Sequence, residues 1–335
     1  MSSLPDRAVE LGKLVEPHRA ALRFHCYRML GSSHDSEDMV QETFVRALRS
    51  FHTLDEPAAL RGWLYRIATN VCLDELARRP GRRARGPELG PPSDPYAPPT
   101  AATPDEQWLE PFPSAWLTPL AAATPDPAAQ YSLKESVALA FVAALQVLTP
   151  AQRAVLLLRD VVGLSADQVA EALTCTVAAA NSTLHRARVA LEERVGPRAG
   201  WSPEHAPIDR ELLERYLRAW QSGDLQAIIA LLHDEATLSM PPVPTWISGG
   251  SAVARFLTQR VEAALQAQRF RAVPLGVCGT PGVGFYRVGD DGLAQFFALH
   301  LLATRAGCIS AIDHFMASSA HAAFFAEGLA RTIPA

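Results

Sequence analysis

The sequence predicts a multidomain chain with two all-α domains followed by an α+β domain that contains a curved antiparallel sheet. Three observations lead to this prediction. Apolar residues recur three and four positions apart through much of residues 1–86 and 131–198. Residues 87–130 hold 12 of the 26 prolines, which helices and central strands do not accept, and therefore predict a linker. Residues 207–335 begin with helical periodicity and continue as strand-like runs separated by turns.

Length and charge limit the class of protein. A chain of 335 residues with 48% hydrophobic content can build two or three domains with real cores. Residues 1–86 carry 14 Lys/Arg against 11 Asp/Glu, whereas residues 87–130 carry six acids and no Lys or Arg. No apolar run approaches the roughly 18 residues of a membrane helix, and the charged N-terminus does not fit a signal peptide. We therefore expect a cytoplasmic protein without a membrane partner.

The cysteines predict neither disulfides nor a metal site. They are odd in number, widely separated and without a CxxC pair, at Cys26, Cys72, Cys175, Cys278 and Cys308. Most have apolar neighbours, which favours reduced core cysteines over a zinc site or a disulfide. We expect no metal and no cofactor.

The first 86 residues predict a series of helices. Leu22, Cys26 and Met29 mark the apolar face of one helix. The segment SSHDSEDMVQETFVRAL predicts the next, with Asp35 as its cap, acids in the first turns and arginines toward the end. This charge order suits the helix dipole, so helix electrostatics explains it as well as a binding face does.

The segment RGWLYRIATNVCLDELARRPGRRARG predicts a third helix that runs into a basic cluster. Its apolar stripe leaves Trp63, Arg66 and Asn70 on other faces. The cluster consists of Arg78, Arg79, Arg82, Arg83 and Arg85. Arginines neutralise phosphates, while aromatic and amide side chains stack on or hydrogen-bond to exposed bases. Nucleic acid is thus the leading candidate partner, and a solvated basic tail is the alternative.

Within the linker, WLEPFPSAWL (Trp108–Leu117) is more apolar than a freely solvated segment. We expect this patch to dock on a neighbouring domain, with a peptide ligand for another protein as the less favoured alternative.

After predicted helices over residues 133–148 and 151–161, residues 160–188 predict a helix-turn-helix. Ser165 and Gln168 form a capping box, and Thr176 can cap the second helix. The second helix of such a unit enters the major groove of DNA. Its predicted DNA contacts are Asn181, Ser182, His185, Arg186 and Arg188. A helix pair without DNA contact is the alternative, because Thr174 stands at the corner where many such motifs place glycine.

The C-terminal residues predict helices followed by strands. IDRELLERYLRAWQSGD predicts a helix closed by Gly223, DLQAIIALLHDEA a second helix, and residues 252–264 a third. The predicted strands are ATLSM, RAVPLGVCG, VGFYRV, LAQFFALHLLATR and CISAIDHFM. GDDG (Gly289–Gly292) and Ala306-Gly307 predict hairpin turns.

Three segments in order, DSEDMVQETFVRAL, RGWLYRIATNVCLDELARR, and LTPAQRAVLLLRDVVGLSADQVAEAL with NSTLHRAR, resemble bacterial RNA polymerase sigma factors of the extracytoplasmic-function group. The resemblance covers roughly residues 10–197 and implies region 2 over 1–86, region 4 over 131–198 and the linker between them. It implies that region 2 binds the polymerase core through Asp38, Gln41, Glu42 and Phe44. The implied contacts to the melted minus-10 element are Trp63, Arg66, Thr69 and Asn70.

The same resemblance implies that region 4 reads the minus-35 element through the second helix of its helix-turn-helix. It also implies that the linker follows the RNA path through the polymerase cleft. The acidity of the linker would suit a channel that holds nucleic acid.

Residues 207–335 resemble SnoaL-like domains, the cone-shaped relatives of nuclear transport factor two, and WISGGSAVARFL carries the shared phrase. We expect an apolar pocket bordered by some of Trp246, Phe285, Tyr286, Phe297 and Leu299. Some members are isomerases, cyclases or hydratases. The acid–base candidates are therefore Asp224, His233, Tyr286, His300, Asp313 and His314. No spacing among them fixes a mechanism, and structural roles are favoured.

We therefore predict an alternative sigma factor, not an enzyme, that directs core polymerase to promoters and is regulated by its C-terminal domain. The expected partners are bacterial RNA polymerase core and promoter DNA, and an unknown small ligand or protein is a further candidate at the C-terminal domain. Two alternatives stay open: a DNA-binding protein whose C-terminal domain is an active isomerase or cyclase, and a helix-turn-helix repressor. Some sigma factors with such a tail carry a DGGGK-type motif that this chain lacks, so its control is expected to differ in detail.

Overall fold

The structure, a computed structural model, describes residues 12–54, 59–79, 90–102, 108–122, 139–195, 209–262, 265, 269–316 and 321–335. The chain divides into two compact units. One unit comprises residues 1–83 and 116–196, and the other comprises residues 84–115 and 197–335. The first part of the predicted linker thus belongs to the same unit as the C-terminal domain.

The first unit is helical throughout its described residues. Its helices are α1 (Arg19–Leu30), α2 (Ser33–Ser50), α3 (Leu60–Arg78), α4 (Thr118–Ala122), α5 (Leu139–Leu145), α6 (Pro150–Leu156), α7 (Ala166–Ala172) and α8 (Val177–Val195). A π-helical turn, Leu157–Val161, extends α6, and short 3-10 turns occur at Glu16–His18, Phe51–Thr53 and Ser114–Leu117. The helix-turn-helix consists of α7 and α8.

Local capping chemistry sets several helix ends in this unit. The prediction that Asp35 caps α2 is wrong, because Ser32 is the N-cap and its Oγ accepts a hydrogen bond from the Asp35 backbone N at 3.0 Å. Thr149 caps α6 through a capping box with Gln152. The predicted helix over residues 133–148 is shorter where it is described, since α5 ends at Leu145, and residues 133–138 lie outside the described ranges.

A single apolar core runs through the first unit. It receives side chains from helices α1 to α3 and from the later helices α5 to α8. Helices α1 to α3 contribute Leu22, Met29 and Leu64, all fully buried. The helical part that ends in the helix-turn-helix contributes Leu145 and Leu157, also fully buried. Because burial of one such side chain is worth about 1.5–3 kcal/mol, this shared core is a large stabilising term for the packed arrangement.

The second unit is an α+β domain. Its helices are α9 (Arg210–Ser222), α10 (Leu225–Ile229), α11 (Gly250–Arg260) and α12 (Ala322–Ala326). Its strands are β1 (Leu232–Met240), β2 (Val243–Ser248), β3 (Phe270–Val277), β4 (Thr280–Val288), β5 (Leu293–Arg305), β6 (Cys308–Met316) and β7 (Thr332–Pro334).

The strands form one curved sheet in the order β2-β1-β6-β5-β4-β3, with β7 paired to β5. β1 and β6 are parallel and the other neighbouring pairs are antiparallel. The register shifts near Phe285 and near Ala303, and such bulges increase strand twist and bend the sheet. One face packs against α9, α10 and α11, with Trp220, Phe256 and Ile312 in its core.

Several sequence predictions for this domain are confirmed. Gly223 closes α9 at φ 69°, and β5 and β6 have the predicted bounds. The Ala306-Gly307 turn has positive φ at both residues, as a two-residue hairpin turn requires. The second predicted helix is shorter than expected, because α10 ends at Ile229 and β1 begins at Leu232. Strands β2 and β7 were not predicted.

Candidate nucleic-acid interface and C-terminal site

Helix α8 presents the predicted minus-35 contacts on one exposed face. Its first turn is capped by Thr176, whose Oγ1 accepts a hydrogen bond from the Ala179 backbone N at 3.2 Å. Ala180, Leu184 and Ala187 are buried and fix the opposite face against the core. The exposed side chains are Asn181, Ser182, His185, Arg186 and Arg188. Their amide, imidazole and guanidinium groups can hydrogen-bond to base edges or phosphates.

The corner before α8 has the geometry that the sequence predicted. Ser165 and Gln168 make both bonds of the capping box that opens α7. Thr174 adopts the left-handed conformation, with φ 51°, that glycine usually supplies at such a corner. The Cys175 backbone N then donates to Ala170 O at 2.9 Å and closes the turn. A threonine at the corner is thus compatible with a helix-turn-helix.

Arg188 is already paired with a carboxylate that lies outside α8. Its Nη2 and Nε lie 2.7 Å and 3.0 Å from the two carboxylate oxygens of Asp160. The hydrogen bonds to this carboxylate, and then its charge, raise the pKa of the Arg188 guanidinium. Arg186 makes only a 3.2 Å contact to Thr183 Oγ1 on its own helix. Arg186 is therefore the more available cation of the pair.

The predicted minus-10 contacts on α3 occupy different environments. Trp63 is only 7% exposed and packs in the core, so its indole is not a free stacking surface in this conformation. Arg66 and Asn70 are partly buried and reach the surface. Arg78 and Arg79, at the end of the helix, are paired with Glu75, and the other arginines of the basic cluster lie outside the described residues.

Thr69, also predicted to contact the minus-10 element, lies inside the first unit. It is fully buried, and its hydroxyl donates to Tyr65 O at 2.7 Å. Nε2 of the buried His25 lies 2.8 Å from the same hydroxyl. Burial, and then the charge of Arg28, lower the pKa of His25 to about 3, so the imidazole is neutral near pH 7. In this conformation hydrogen bonds to Tyr65 O and His25 hold the Thr69 side chain inside the unit.

The predicted core-binding residues of α2 divide between two faces. Asp38, Gln41 and Glu42 line a groove of about 450 Å³ together with Met39, Val45, Arg46, Val71 and Arg78. The groove is lined by carboxylates and by apolar side chains, and one of these, Val45, is exposed to solvent. Phe44 lies elsewhere, because its ring packs under the guanidinium of Arg19 at 4.7 Å. The structure thus brings three of the four residues together.

A chain of three hydrogen-bonded side chains lies in the C-terminal domain, with Tyr216 and His300 buried and His314 half-buried. The Tyr216 hydroxyl lies 2.7 Å from Nδ1 of His300, and Nε2 of His300 lies 2.5 Å from Nδ1 of His314. Burial, and then the neighbouring His314, lower the pKa of His300 well below its usual value. Burial, and then His321, lower the pKa of His314 to about 4. Burial also raises the pKa of Tyr216.

These pKa directions leave all three groups neutral near pH 7. Two hydrogen-bond orders then satisfy both contacts: Tyr216 donates to His300 and His300 to His314, or His314 donates to His300 and His300 to Tyr216. The sequence placed Tyr216 only in the apolar stripe of its helix, so no local pattern indicated this chain.

The predicted pocket residues do not share one face of the sheet. Phe285 packs on Trp220 and His300 on the helix-covered face, and Phe297 lies on the same side, 5.8 Å from the His314 ring. Tyr286 points to the opposite face, where its hydroxyl donates to Ala330 O at 2.8 Å. Strand alternation places Leu299 on that opposite face too, and Trp246 contacts the linker instead.

The remaining acid–base candidates have structural partners. Asp224 caps α10, accepting from the Ala227 backbone N at 2.9 Å, and His233 Nδ1 accepts from the Glu235 backbone N at 3.1 Å. Asp313 is buried and accepts from Ser239 Oγ at 2.5 Å. Within the described ranges, no three His, Cys, Asp or Glu side chains converge as metal ligands would. No described helix is both long and apolar enough to cross a membrane.

Linker residues 90–102 and 108–115 are held by the C-terminal domain at two places. At β2, the Trp246 indole Nε1 donates to Gly90 O at 3.1 Å, and the Ser93 backbone N donates to Trp246 O at 2.8 Å. Near the end of β3, the fully buried Phe112 accepts from the Cys278 backbone N at 2.9 Å. The docking predicted for the apolar patch is confirmed for its described residues up to 115.

The end of the same patch also packs closely. Ser114 lies against β3, where its Oγ accepts from the Gly279 backbone N at 2.9 Å. A Cβ at Gly276 would come within 2.7 Å of Ser114 Cβ, so the close approach requires glycine at that position. Trp116, which belongs to the first unit, packs edge-on against Phe24 and lies under the Arg23 guanidinium.

Comparison with known proteins agrees with this organisation. The family profile Sigma-70 region 2 matches residues 14–81, Sigma-70, region 4 matches residues 138–191, and SnoaL-like domain matches residues 213–312. The ECF RNA polymerase sigma factor SigG of Mycobacterium tuberculosis is 39% identical over 317 residues, which cover 93% of this chain and 82% of SigG. The chain belongs to the extracytoplasmic-function sigma factors. It is an alternative sigma factor with a fused SnoaL-like domain.

Other relatives of this sigma factor share the same architecture. The ECF RNA polymerase sigma factor SigJ of Mycobacterium tuberculosis is 29% identical over 285 residues, which cover 80% of this chain and 82% of SigJ. The crystal structure of Mycobacterium tuberculosis SigJ aligns with a TM-score of 0.55 at 23% identity and covers 94% of this chain and 98% of SigJ. That likeness shows the fold of this sigma factor.

Proposed function

We propose that this sigma factor brings RNA polymerase core to promoters, with α8 reading the minus-35 element and α3 binding the melted minus-10 element. The groove at Asp38, Gln41 and Glu42 is the proposed seat for the polymerase core. The exposed polar face of α8, and Arg66 and Asn70 of α3, supply the DNA contacts. A repressor would have no use for the α2 groove, so this assignment is favoured over a stand-alone helix-turn-helix repressor.

We further propose that the C-terminal domain regulates initiation by holding the linker. The observation that carries this proposal is the engagement of residues 90–102 by β2 and of residues 108–115 by the end of β3. Backbone hydrogen bonds, the Trp246 indole and the buried Phe112 all contribute to the contact. A linker that lies on this domain cannot lie in the polymerase cleft at the same time. The domain and the polymerase therefore compete for the same segment.

Run-off transcription with purified core polymerase tests both proposals. The full chain is compared with a chain that ends at Gly200 and with a Trp246→Ala variant, which loses the bond to Gly90 O. Leu293→Ala, at an exposed position of the same sheet, is the matched control. We expect the truncation and Trp246→Ala to change output in the same direction, and the control to leave it unchanged. Equal output, core affinity and promoter choice in all four proteins would refute regulation by the domain.

An isomerase or cyclase activity of the C-terminal domain is the second candidate function, and the Tyr216–His300–His314 chain is the observation that favours it. Both ring nitrogens of His300 are already hydrogen-bonded to protein groups. The carboxylate of Asp313, next along β6, points to the other face, where it bonds Ser239. We therefore favour a structural role for this chain and expect His314→Gln to leave transcription unchanged.

A further inference from the structure

Arg46 joins two helices at the groove proposed as the seat for the polymerase core. It lies on α2 and lines this groove together with Glu42. Its Nε donates to Glu42 Oε1 at 2.8 Å, and its Nη1 donates to Oδ2 of Asp74 on α3 at 2.7 Å. One guanidinium thus holds a carboxylate of its own helix and a carboxylate of α3.

We propose that Arg46 is a positioning residue for core binding, which holds the Glu42 carboxylate in the orientation that the polymerase core contacts, with Asp74 as its anchor on α3. The proposal rests on the proposed function, which assigns Glu42 to the core. Arg46 and Asp74 act through Glu42 and need not contact the polymerase. The two residues are 28 positions apart, so helical periodicity did not connect them.

The chemistry of arginine suits this bridging role. A guanidinium is planar and charged near neutral pH, and its five N–H groups point in fixed directions. Nε and Nη1 are different nitrogens of the group, so each carboxylate has a donor of its own. The hydrogen bonds to Glu42, and then to Asp74, raise the pKa of the Arg46 guanidinium. Because the group is rigid, the bond to Asp74 also limits the direction of the bond to Glu42.

Glu42 keeps the capacity to bind a partner while it is held. It precedes Arg46 by four residues, the order that favours an ion pair along a helix. Its side chain is 39% exposed, and its carboxylate has further lone pairs that can accept hydrogen bonds. A free glutamate loses rotamer freedom when a partner immobilises it, and this loss weakens binding. A glutamate that is already ordered loses less.

Stabilisation of the fold is the alternative role for this network, and its exposure argues against that role. The side chains of Arg46 and Asp74 are 31% and 51% exposed. Ion pairs with such exposure add little to stability, because water screens them and both side chains lose entropy. Helices α2 and α3 are instead held by fully buried apolar residues of one cluster, among them Val40 and Leu64.

The other arginine of the groove, Arg78, has a different partner. Its Nη1 lies 3.0 Å from Oε2 of Glu75. Oε1 of Glu75 lies 3.1 Å from Nε of Arg79. Among the described residues, Arg46 is the arginine that pairs with Glu42, so its removal frees that carboxylate and leaves the Glu75 pairs in place.

A double-mutant cycle on core affinity tests the proposal in the full chain. The Kd for purified polymerase core is measured by fluorescence anisotropy for the unmodified protein, Arg46→Ala, Glu42→Ala and the double variant. Asp74→Asn is added, because it removes the anchor on α3 and keeps Arg46. Arg49→Ala removes the same charge from an exposed position of α2 and is the matched control, made with and without Glu42→Ala. Urea unfolding of each variant measures the stability of the fold.

We expect Arg46→Ala to raise the Kd for the core by about three- to tenfold, which corresponds to the cost of ordering one side chain. The same change should have no effect in the Glu42→Ala background, because the two residues act as a unit. Asp74→Asn should raise the Kd by a smaller factor that also depends on Glu42. Any effect of Arg49→Ala should be equal in both backgrounds.

Two results would overturn the proposal and leave the proposed function intact. One is an unchanged Kd in Arg46→Ala, and the other is a rise in Kd by the same factor with and without the Glu42 side chain. If Glu42→Ala binds the core as tightly as the unmodified protein, the groove is not the seat for the core, and the proposed function fails together with the role of Arg46. If urea unfolding shows that Arg46→Ala does not fold, Asp74→Asn carries the same test.

Discussion

The hydroxyl of Tyr216 lies 2.7 Å from Nδ1 of His300, although 84 residues separate them in the sequence. The bond joins α9 to the middle of β5, and both residues are buried. A buried imidazole nitrogen that loses its hydrogen-bond partner pays a desolvation cost that no solvent contact offsets. This pair therefore links the helical layer of the C-terminal domain to its sheet.

Tyr216→Phe should lower the stability of the C-terminal domain by about 1–3 kcal/mol, because it leaves His300 Nδ1 without its hydrogen-bond partner while the ring packing is kept. Urea unfolding of the full chain, followed by hydrogen exchange of β5 and β6 amides, measures the effect. Tyr286→Phe is the matched control, since its hydroxyl bonds a backbone carbonyl on the other face. Equal losses in the two variants would contradict the special role of the Tyr216 bond.

Acidification should destabilise the same domain. Burial holds the pKa of His314 at about 4 and lowers that of His300, whereas both take up a proton near pH 6.5 once unfolded. Above pH 6.5 both histidines are neutral in the folded and unfolded states, and they do not make stability depend on pH. As pH falls from 6.5 toward about 4, the unfolded chain takes up these protons first, so the free energy of unfolding decreases. The slope can reach about 1.4 kcal/mol per pH unit for each histidine.

A local measurement is needed to detect this effect, because the buried His25 of the first unit has a lowered pKa as well. Hydrogen exchange of β5 and β6 amides at pH 7.5 and pH 5, corrected for intrinsic exchange rates, isolates the C-terminal domain. His314→Gln should flatten the pH dependence. An unchanged dependence in this variant would show that other groups control the acid sensitivity.

The sequence predicted the elements whose determinants are local. The Ser165–Gln168 capping box, the closure of α9 by Gly223 and the Ala306-Gly307 turn each depend on a few neighbouring residues, and the structure has all three. The cap of α2 was misassigned because Ser32 and Asp35 are both good cap residues three positions apart. Local chemistry alone does not choose between them.

Contacts between distant helices of the first unit could not be predicted in this way. Arg66 and Glu171 are 105 residues apart, and Arg153 reaches Met29 across 124 residues. Helical periodicity reports which face of a helix is apolar, but not which other helix covers its polar face. Thr69 shows the same limit, since a hydroxyl next to Asn70 on α3 turned inward to bond Tyr65 O.

Arg186 and Arg188 of the recognition helix should differ in their contribution to promoter binding. Arg186→Ala should weaken minus-35 binding by about 1–3 kcal/mol if the side chain contacts a base, and by less if it contacts phosphate alone. Arg188→Ala should have a smaller effect, because Arg188 must first release Asp160. Footprints and equilibrium binding of the holoenzyme on a promoter with an intact minus-35 element measure both.

Asp160→Asn should strengthen minus-35 binding, because it frees Arg188 and removes a negative charge near the DNA. Glu193→Gln removes the same charge from an exposed position on α8 and is the matched control. A gain specific to Asp160→Asn would show that the ion pair limits Arg188. Equal gains in both variants would attribute the effect to net charge alone.

Asn70 provides the cleanest test of the minus-10 assignment. Trp63 is buried, so Trp63→Ala would remove core packing along with any stacking surface, at a cost of about 3–5 kcal/mol. The Asn70 amide makes one 3.3 Å bond to a backbone carbonyl, and its loss leaves the core of α3 intact. Asn70→Ala should therefore reduce minus-10 permanganate reactivity while duplex binding through α8 is kept. It also removes the bond to Ala172 O of α7, so the variant changes two contacts at once. A heteroduplex promoter, already melted over the minus-10 element, separates the two effects, because it removes the melting step and keeps base recognition. Reduced binding to this template by Asn70→Ala would place the amide at a base. Binding and reactivity equal to those of the unmodified protein would remove Asn70 from the site.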